Sequence, residues 1–137
     1  MSPRAYVALG SNLGDRVAHL ALARRRLATL ERTRLLGAST VDDTLPLENR
    51  KQPSYLNQMV ALETLLPPAV LLDACHAVER EAGRERREPG DSRTLDLDLV
   101  IYQGVTMATE KLTLPHPGVG ARPFWQRELA ELERMGL

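Results

Sequence analysis

From Thr94 to Leu99 the chain reads Thr-Leu-Asp-Leu-Asp-Leu, with leucines at odd positions and polar side chains at even ones. A period of two is the mark of a β-strand with one face buried, and Val100-Ile101-Tyr102 continues it as an apolar strand end. The fold must therefore contain a sheet that buries the leucines, and it must give Asp96 and Asp98 somewhere to point. Residues i and i+2 of a strand project to the same side, roughly 6.5–7 Å apart. Neighbouring carboxylates raise each other's pKa unless a cation sits between them. Two acids on so apolar a strand suggest a hard cation, with Mg2+ among carboxylate and phosphate oxygens the natural candidate. The plain alternative is the solvated face of an edge strand.

The residues leading into this strand bear on that choice. Arg80, Arg84, Arg86, Arg87 and Arg93 are interleaved with Glu79, Glu81, Glu85 and Glu88. Such a run is commonly a solvated helix end. Planar guanidinium forks also suit phosphate oxygens, and metal carboxylates beside phosphate-binding arginines recur in phosphoryl transfer. The two signals together favour a nucleotide-phosphate site.

A chain of 137 residues is sized for one domain, 1–137, with a real core. Its formal net charge is zero, which argues against a general polyanion-binding surface and against nucleic acid as a partner. Cys75 is the sole cysteine, so no intrachain disulfide can form, which fits a reducing cytoplasm. Set among Ala74, Ala77 and Val78, it reads as a core residue. No apolar run has the length of a membrane span, and no signal-peptide pattern follows Arg4. The expectation is a soluble cytoplasmic protein, monomeric or weakly self-associating.

In chain order, Tyr6–Leu9 reads as a short buried strand stopped by the turn Gly10-Ser11-Asn12-Leu13-Gly14-Asp15. That turn lacks the Lys-Ser/Thr of a phosphate loop and the G-x-G-x-x-G spacing, so a structural role is the better reading. A helix from about Arg16 to Glu31 follows, with Val17, Leu20, Leu27 and Leu30 as its apolar stripe and Arg24, Arg25 and Arg26 exposed. Leu35 to Thr44 reads as one strand with a bulge at Gly37, and Leu45 to Pro53 as a long irregular loop of functional character. Tyr55 to Glu63 returns as a strand with Tyr55 and Asn57 on one face, an aromatic plate beside an amide. That pair suits a flat heterocycle, though ordinary strand packing explains it equally well. Pro67-Pro68 opens a second helix ending at Gly83, with Leu71, Ala74, Cys75 and Val78 as its stripe and His76 and Glu79 on a neighbouring face. Beyond the acidic strand, Pro115-His116-Pro117 is a stiff segment that fixes His116. Arg122, Phe124 and Trp125 precede a polar helix from Gln126 to Met135. The order β-α-β-β-α-β is that of an α+β, ferredoxin-like sandwich, an antiparallel sheet with its helices on one face. Asp96 and Asp98 then fall on the other face, which must be covered or bind something.

Taken together, Gly10-Ser11-Asn12-Leu13-Gly14, Tyr55-Leu56-Asn57, Gly83-Arg84-x-Arg86, Arg93-Thr94-Leu95-Asp96-Leu97-Asp98 and Leu114-Pro115-His116-Pro117 resemble the 6-hydroxymethyl-7,8-dihydropterin pyrophosphokinases of folate biosynthesis. The pieces occur in that family's order across residues 5–124. The resemblance implies an α+β, ferredoxin-like enzyme that moves the pyrophosphoryl group of MgATP to the pterin hydroxymethyl oxygen and releases AMP. It implies that Asp96 and Asp98 hold two Mg2+ ions and that Arg84 and Arg93 stabilise the transferring phosphates, these four being the catalytic set. Arg86 and Arg122 become further phosphate contacts, and His76, Glu79, Leu112, Thr113 and His116 nucleotide-binding positions. Tyr55 and Phe124 would sandwich the pterin and Asn57 bond its edge, with Thr44, Leu45 and Leu47 completing the pocket.

Three departures stand out. The family's Arg-Trp-Gly-Pro before the acidic strand is replaced by Arg87-Glu88-Pro89-Gly90-Asp91-Ser92. The apolar run after Phe124 is replaced by Trp125-Gln126-Arg127-Glu128, and the chain stops at Leu137, earlier than relatives do. They leave two expectations: weaker closure over the substrates, with a slow pterin- or nucleotide-binding paralogue as the alternative to an enzyme, and a missing covering element that self-association could replace.

Overall fold

The computed structural model describes residues 2–44, 53–83 and 94–137. In chain order its elements are β1 (Arg4–Ser11), α1 (Arg16–Ala28), β2 (Thr33–Ala38), β3 (Asp42–Thr44), β4 (Tyr55–Thr64), α2 (Pro68–Glu81) and β5 (Asp96–Tyr102). The short strands β6 (Met107–Ala108) and β7 (Thr113–Leu114) follow, then a 3-10 turn at Pro117–Gly120 and α3 (Pro123–Arg134). The main sheet runs β2-β4-β1-β5 with every neighbouring pair antiparallel, and β3 also pairs with β4. The protein is thus α+β: an antiparallel sheet and three helices. None of the helices among the described residues is long and apolar enough to cross a membrane.

The expected single strand from Leu35 to Thr44 is instead two, β2 and β3, paired along successive stretches of β4. Ser39 causes the break. Its hydroxyl accepts the Met59 N–H at 3.0 Å and its carbonyl accepts the Gln58 amide at 2.7 Å, so side chains replace ladder bonds there. The bulge expected near Gly37 is present: Leu35 faces Leu62, and Gly37 then faces Ala61. A second bulge lies between β1 and β5, where Tyr6 faces Ile101 but Val7 faces Leu99. Val100 is the extra residue, and Val100 and Ile101 consequently pack on the same side, while Leu99 and Tyr102 pack on the other.

Alternation along each strand gives the sheet two apolar faces. Val7, Leu9, Val60, Leu62, Leu97 and Leu99 meet Leu20, Ala23 and Leu27 of α1 and Leu71, Cys75 and Val78 of α2. Asp15 caps α1 by accepting the Ala18 N–H at 3.1 Å. Val17 does not join this core; it is 67% exposed and Ala23 holds the place instead. At 3.6 residues per turn, Val17 lies about 100° around the helix from the centre of the Leu20, Ala23, Leu27 and Leu30 stripe. Arg24 is half-buried rather than exposed, donating to the Gln58 side chain at 2.8 Å.

The opposite face carries Ala8, Met59, Ala61 and Val100, and α3 covers them with Trp125 and Leu132. The helix expected to be polar from Gln126 begins at Pro123 and is amphipathic, burying Trp125, Glu128 and Leu132 at spacings of three and four. α3 thus covers the face for which the sequence suggested a missing element.

Leu62, on β4, is fully buried in the core between the sheet and helices α1 and α2. Leu62→Ala should lower the unfolding free energy by about 2–5 kcal/mol, read from urea denaturation at unchanged m-value.

Candidate active site

Because β5 alternates, Asp96 and Asp98 project from the face opposite Leu97 and Leu99, on the side α3 only partly covers. The register fixes their neighbours. Asp96 faces Gly10 of β1, Gly10 faces Asn57 of β4, and Asn57 faces Asp42 of β3, making one row across the sheet. Gly10 keeps that row open: a Cβ there would lie 3.3 Å from Asn57 Oδ1 and 3.6 Å from Tyr55.

Above the row is a hollow of about 390 Å3, lined by Thr44, Tyr55, Asn57, Phe124 and Trp125 together with Asp96, Asp98 and Arg122. Asn57 is largely buried, and its amide donates to the Thr44 hydroxyl at 2.5 Å, which fixes the orientation of its carbonyl oxygen. The rings of Tyr55 and Phe124, a held amide and a hydroxyl are suited to gripping a flat polar ring by stacking and edge hydrogen bonds.

A second, more open cleft of about 1020 Å3 lies on the α2 side, lined by His76, Glu79, Leu112, Thr113 and His116, again with Asp96, Asp98 and Arg122. His76 is exposed on α2. Glu79 is nearly buried, and its Oε2 accepts the Leu97 N–H at 2.7 Å, tying α2 to β5. Burial, then the charges of Glu79 and Asp98, pushes the Cys75 thiol up to about 12, so this core cysteine stays protonated. Leu112 is buried in the turn that joins β6 to β7, and Thr113 is exposed beside it.

His116 lines the larger cleft beside Asp98. Its N–H donates to the Val100 carbonyl at 2.8 Å, and its Nδ1 accepts the Gly118 N–H at 2.9 Å. An accepting Nδ1 assigns the proton of the neutral ring to Nε2, which lies 3.8 Å from Asp98 Oδ1. Arg122 Nη1 approaches the other oxygen of Asp98, also at 3.8 Å. Beneath both is Trp125, its ring edge-on to His116 with centroids 4.9 Å apart and 4.3 Å from the Arg122 guanidinium carbon. Desolvation, then the Arg122 charge, lowers the His116 pKa from its ordinary value, against an opposing pull from Asp96. The ring is therefore neutral at pH 7.

The described candidate residues line two spaces: Thr44, Tyr55, Asn57 and Phe124 the smaller hollow, His76, Glu79, Leu112, Thr113 and His116 the larger cleft. Asp96, Asp98 and Arg122 line both. Leu45, Leu47, Arg84, Arg86 and Arg93 lie outside the described residues. Trp125 was not anticipated as a site residue. Its rarity was the available signal, since the chain has one tryptophan, and it directly follows Phe124.

Comparison with known proteins bears on this two-chambered geometry. Residues 6–134 match the family model described as 7,8-dihydro-6-hydroxymethylpterin-pyrophosphokinase. A Pseudomonas putida protein named 2-amino-4-hydroxy-6-hydroxymethyldihydropteridine pyrophosphokinase is 42% identical over 119 residues, covering 85% of this chain and 96% of that one. A Haemophilus influenzae protein of the same name is 39% identical over 120 residues, covering 88% and 75%. The folic acid synthesis protein fol1 of Schizosaccharomyces pombe is 38% identical over 128 residues; these are 93% of this chain but 18% of that longer protein. A crystal structure described as HPPK-DHPS in complex with substrates superposes with a TM-score of 0.64 at 10% identity, over 94% of this chain and 40% of the other, a likeness of fold. The fold and site are those of an α+β protein with adjoining pockets that share a pair of carboxylates. The chain belongs to the 7,8-dihydro-6-hydroxymethylpterin-pyrophosphokinase family.

The His116 environment gives a direct test by NMR. In the wild type its imidazole should titrate below the ordinary histidine value. Arg122→Gln should raise that pKa by removing a repelling cation, and Asp96→Asn should lower it further. Opposite signs in the two variants are the decisive feature.

Proposed function

We propose that this protein transfers the pyrophosphoryl group of ATP to the hydroxymethyl oxygen of 6-hydroxymethyl-7,8-dihydropterin, releasing AMP, as a step of folate biosynthesis. The observation that carries the reading is that Asp96, Asp98 and Arg122 line both pockets, so a group passing from one ligand to the other does so across them. Membership of the family supports the choice of substrates. The β1-α1-β2/β3-β4-α2-β5 order with sheet order β2-β4-β1-β5 supports a ferredoxin-like sandwich extended by α3.

In this reading Tyr55 and Phe124 hold the pterin between their rings, while Asn57 and Thr44 read its edge. ATP lies along the larger cleft against His76, Glu79, Leu112, Thr113 and His116. The pterin hydroxyl oxygen forms a bond to the β-phosphorus and releases its proton to solvent, as the bond from that phosphorus to the α–β bridging oxygen breaks and AMP leaves with the bonding electron pair. Arg122 is positioned for the phosphate oxygens by its stack on Trp125. His116, kept neutral, donates through Nε2 without adding charge. The remaining arginines of the motifs, Arg84, Arg86 and Arg93, are proposed phosphate contacts, and Leu45 and Leu47 proposed parts of the pterin pocket.

The carboxylate pair fits Mg2+ on its donor chemistry: two oxygen ligand groups on one strand face, both half-buried and open to both pockets. Asp96 and Asp98 would hold the metal, with two ions proposed, and when bound it neutralises phosphate charge. The chain's contribution is positioning and electrostatic complementarity rather than a strong base.

Product analysis tests the reading. Incubation with MgATP and the dihydropterin should yield AMP and a pterin diphosphate, each requiring both substrates; ADP would identify a monophosphoryl kinase, and pterin binding without turnover a binding paralogue. Asp96→Asn and Asp98→Asn should each reduce AMP formation by about 10²-fold or more. Their Tm should stay close to that of wild type, since relief of the carboxylate repulsion is offset at Asp98 by a weakened Arg122 contact.

A further inference from the structure

Helix α3 holds the β3 edge of the smaller pocket through a cluster of charged groups. Glu131 accepts the Thr40 N–H at 2.5 Å and the Thr40 hydroxyl at 2.8 Å. Arg127 lies 2.9 Å from Asp42 Oδ1. Between them, on the inner side of the helix, Glu128 is 2% exposed, and neither of its carboxyl oxygens has a hydrogen-bond partner among the described residues.

A carboxylate buried without donors beside a second carboxylate is the least favourable form this side chain can take. Burial first, then Asp42 and Glu131, against the opposing charge of Arg127, pushes the Glu128 carboxyl up to about 9. The charged groups bearing on it are thus Asp42 from β3 and Arg127 and Glu131 from its own helix. β4 presents Met59 and Ala61 to the apolar patch that α3 covers, and the Pro117–Gly120 turn carries no ionisable side chain. A protonated Glu128 has one O–H, and Asp42 is the acceptor available to it.

We propose that Glu128 works as a neutral acid, donating a hydrogen bond to Asp42 and so acting as a positioning residue for the smaller pocket. The consequence follows from the register. Asp42 faces Asn57, and two residues along β3 Thr44 receives the Asn57 amide. Phe124 lies one turn before Glu128 on the same helix. The carboxyl–carboxylate bond thereby acts with the Arg127–Asp42 and Glu131–Thr40 contacts to set the spacing between the stacking ring and the amide edge. Ionisation of Glu128 turns the attraction into repulsion and lets β3 move away from α3. The inference rests on the pterin reading for its ligand, but the shared proton can be detected without it.

Wild type, Glu128→Gln and Glu128→Leu are compared between about pH 7 and about pH 9.5. The readouts are pterin KM, ATP KM, kcat, pterin affinity by fluorescence titration without ATP, and Tm. Glutamine supplies a permanent neutral donor, so this variant should match wild type at neutral pH and hold its pterin KM as pH rises. Leucine has no donor and should show a pterin KM raised about tenfold at every pH, the equivalent of 1.4 kcal/mol. Wild type should move from the first behaviour towards the second above about pH 9. ATP KM should agree among the three. Because the folded pKa exceeds the unfolded one, the folded chain keeps a proton that the unfolded chain releases. Wild-type stability should therefore fall as pH rises from the ordinary carboxyl range to about 9, and the Tm advantage of Glu128→Gln should grow over that range.

A wild-type pterin KM in Glu128→Leu, or identical pH profiles in wild type and Glu128→Gln, overturns the proposal. Equal rises in both substrates' KM also overturn it, since they would mean general loosening. Absence of AMP with the pterin-affinity pattern intact overturns only the reaction. Absence of pterin binding overturns the ligand, and the Tm profiles still decide whether Glu128 keeps its proton.

Discussion

The antiparallel pairing of β5 with β1 is the constraint on which the rest of the structure depends. It buries Leu97 and Leu99 against the α2 side, and by the same parity it sends Asp96 and Asp98 to the opposite face. Slipping the register by one residue would exchange leucines and carboxylates, placing two acids in the core. The leucines therefore hold the catalytic candidates in position as much as they stabilise the sheet. The bulge at Val100 completes the arrangement by turning both Val100 and Ile101 towards α3 just beyond the acid pair. One end of the face is dry and covered, and the other is open to ligand.

Glycine and tryptophan divide the remaining work. Gly10 withholds a side chain where the row from Asp42 to Asp96 crosses β1, and so leaves a floor to the smaller pocket. Trp125 provides a wall: it plugs the sheet face with its buried surface while its ring supports His116 and Arg122. Gly118 permits that packing, because a Cβ there would come within 2.9 Å of both the Trp125 ring and the Arg122 side chain.

How far the sequence reveals this depends on whether the signal is periodic. The alternation of β5 and the heptad-like stripe of α2 are strong local patterns, and both elements form as the pattern indicates. The division of one strand into β2 and β3 has no periodic signature, since it arises from Ser39 competing for backbone partners on β4. The inward face of α3 was obscured because one of its three buried residues is Glu128, which reads as surface until its neighbour Asp42 is known. Val17 misleads for the reverse reason: it is apolar by type but lies off the stripe. The pairing of Asp96 with Gly10, Asn57 and Asp42 is a property of register, which no single segment encodes.

Charge at the junction limits what the residues shared by the two pockets can bind. Among the described residues shared by the two pockets there are two carboxylates and one guanidinium, an arrangement that by itself repels a polyphosphate. His116 does not redress this, because desolvation and Arg122 keep its ring neutral. A phosphate-binding role thus demands further cations at Asp96 and Asp98. The chain's formal neutrality means that they are not supplied by a general positive field. Two local sources remain: a divalent ion between the carboxylates, and the cluster Arg84, Arg86 and Arg93 that the sequence sets immediately before β5. Each meets a different need. Under the proposed function the ion would offset the acid pair and the guanidinium groups would meet the phosphate oxygens, so a site with only one of them would bind its nucleotide weakly. On that reading the acid pair is one half of the arrangement, and the strand that carries it supplies the other half's place by leaving one face of β5 open.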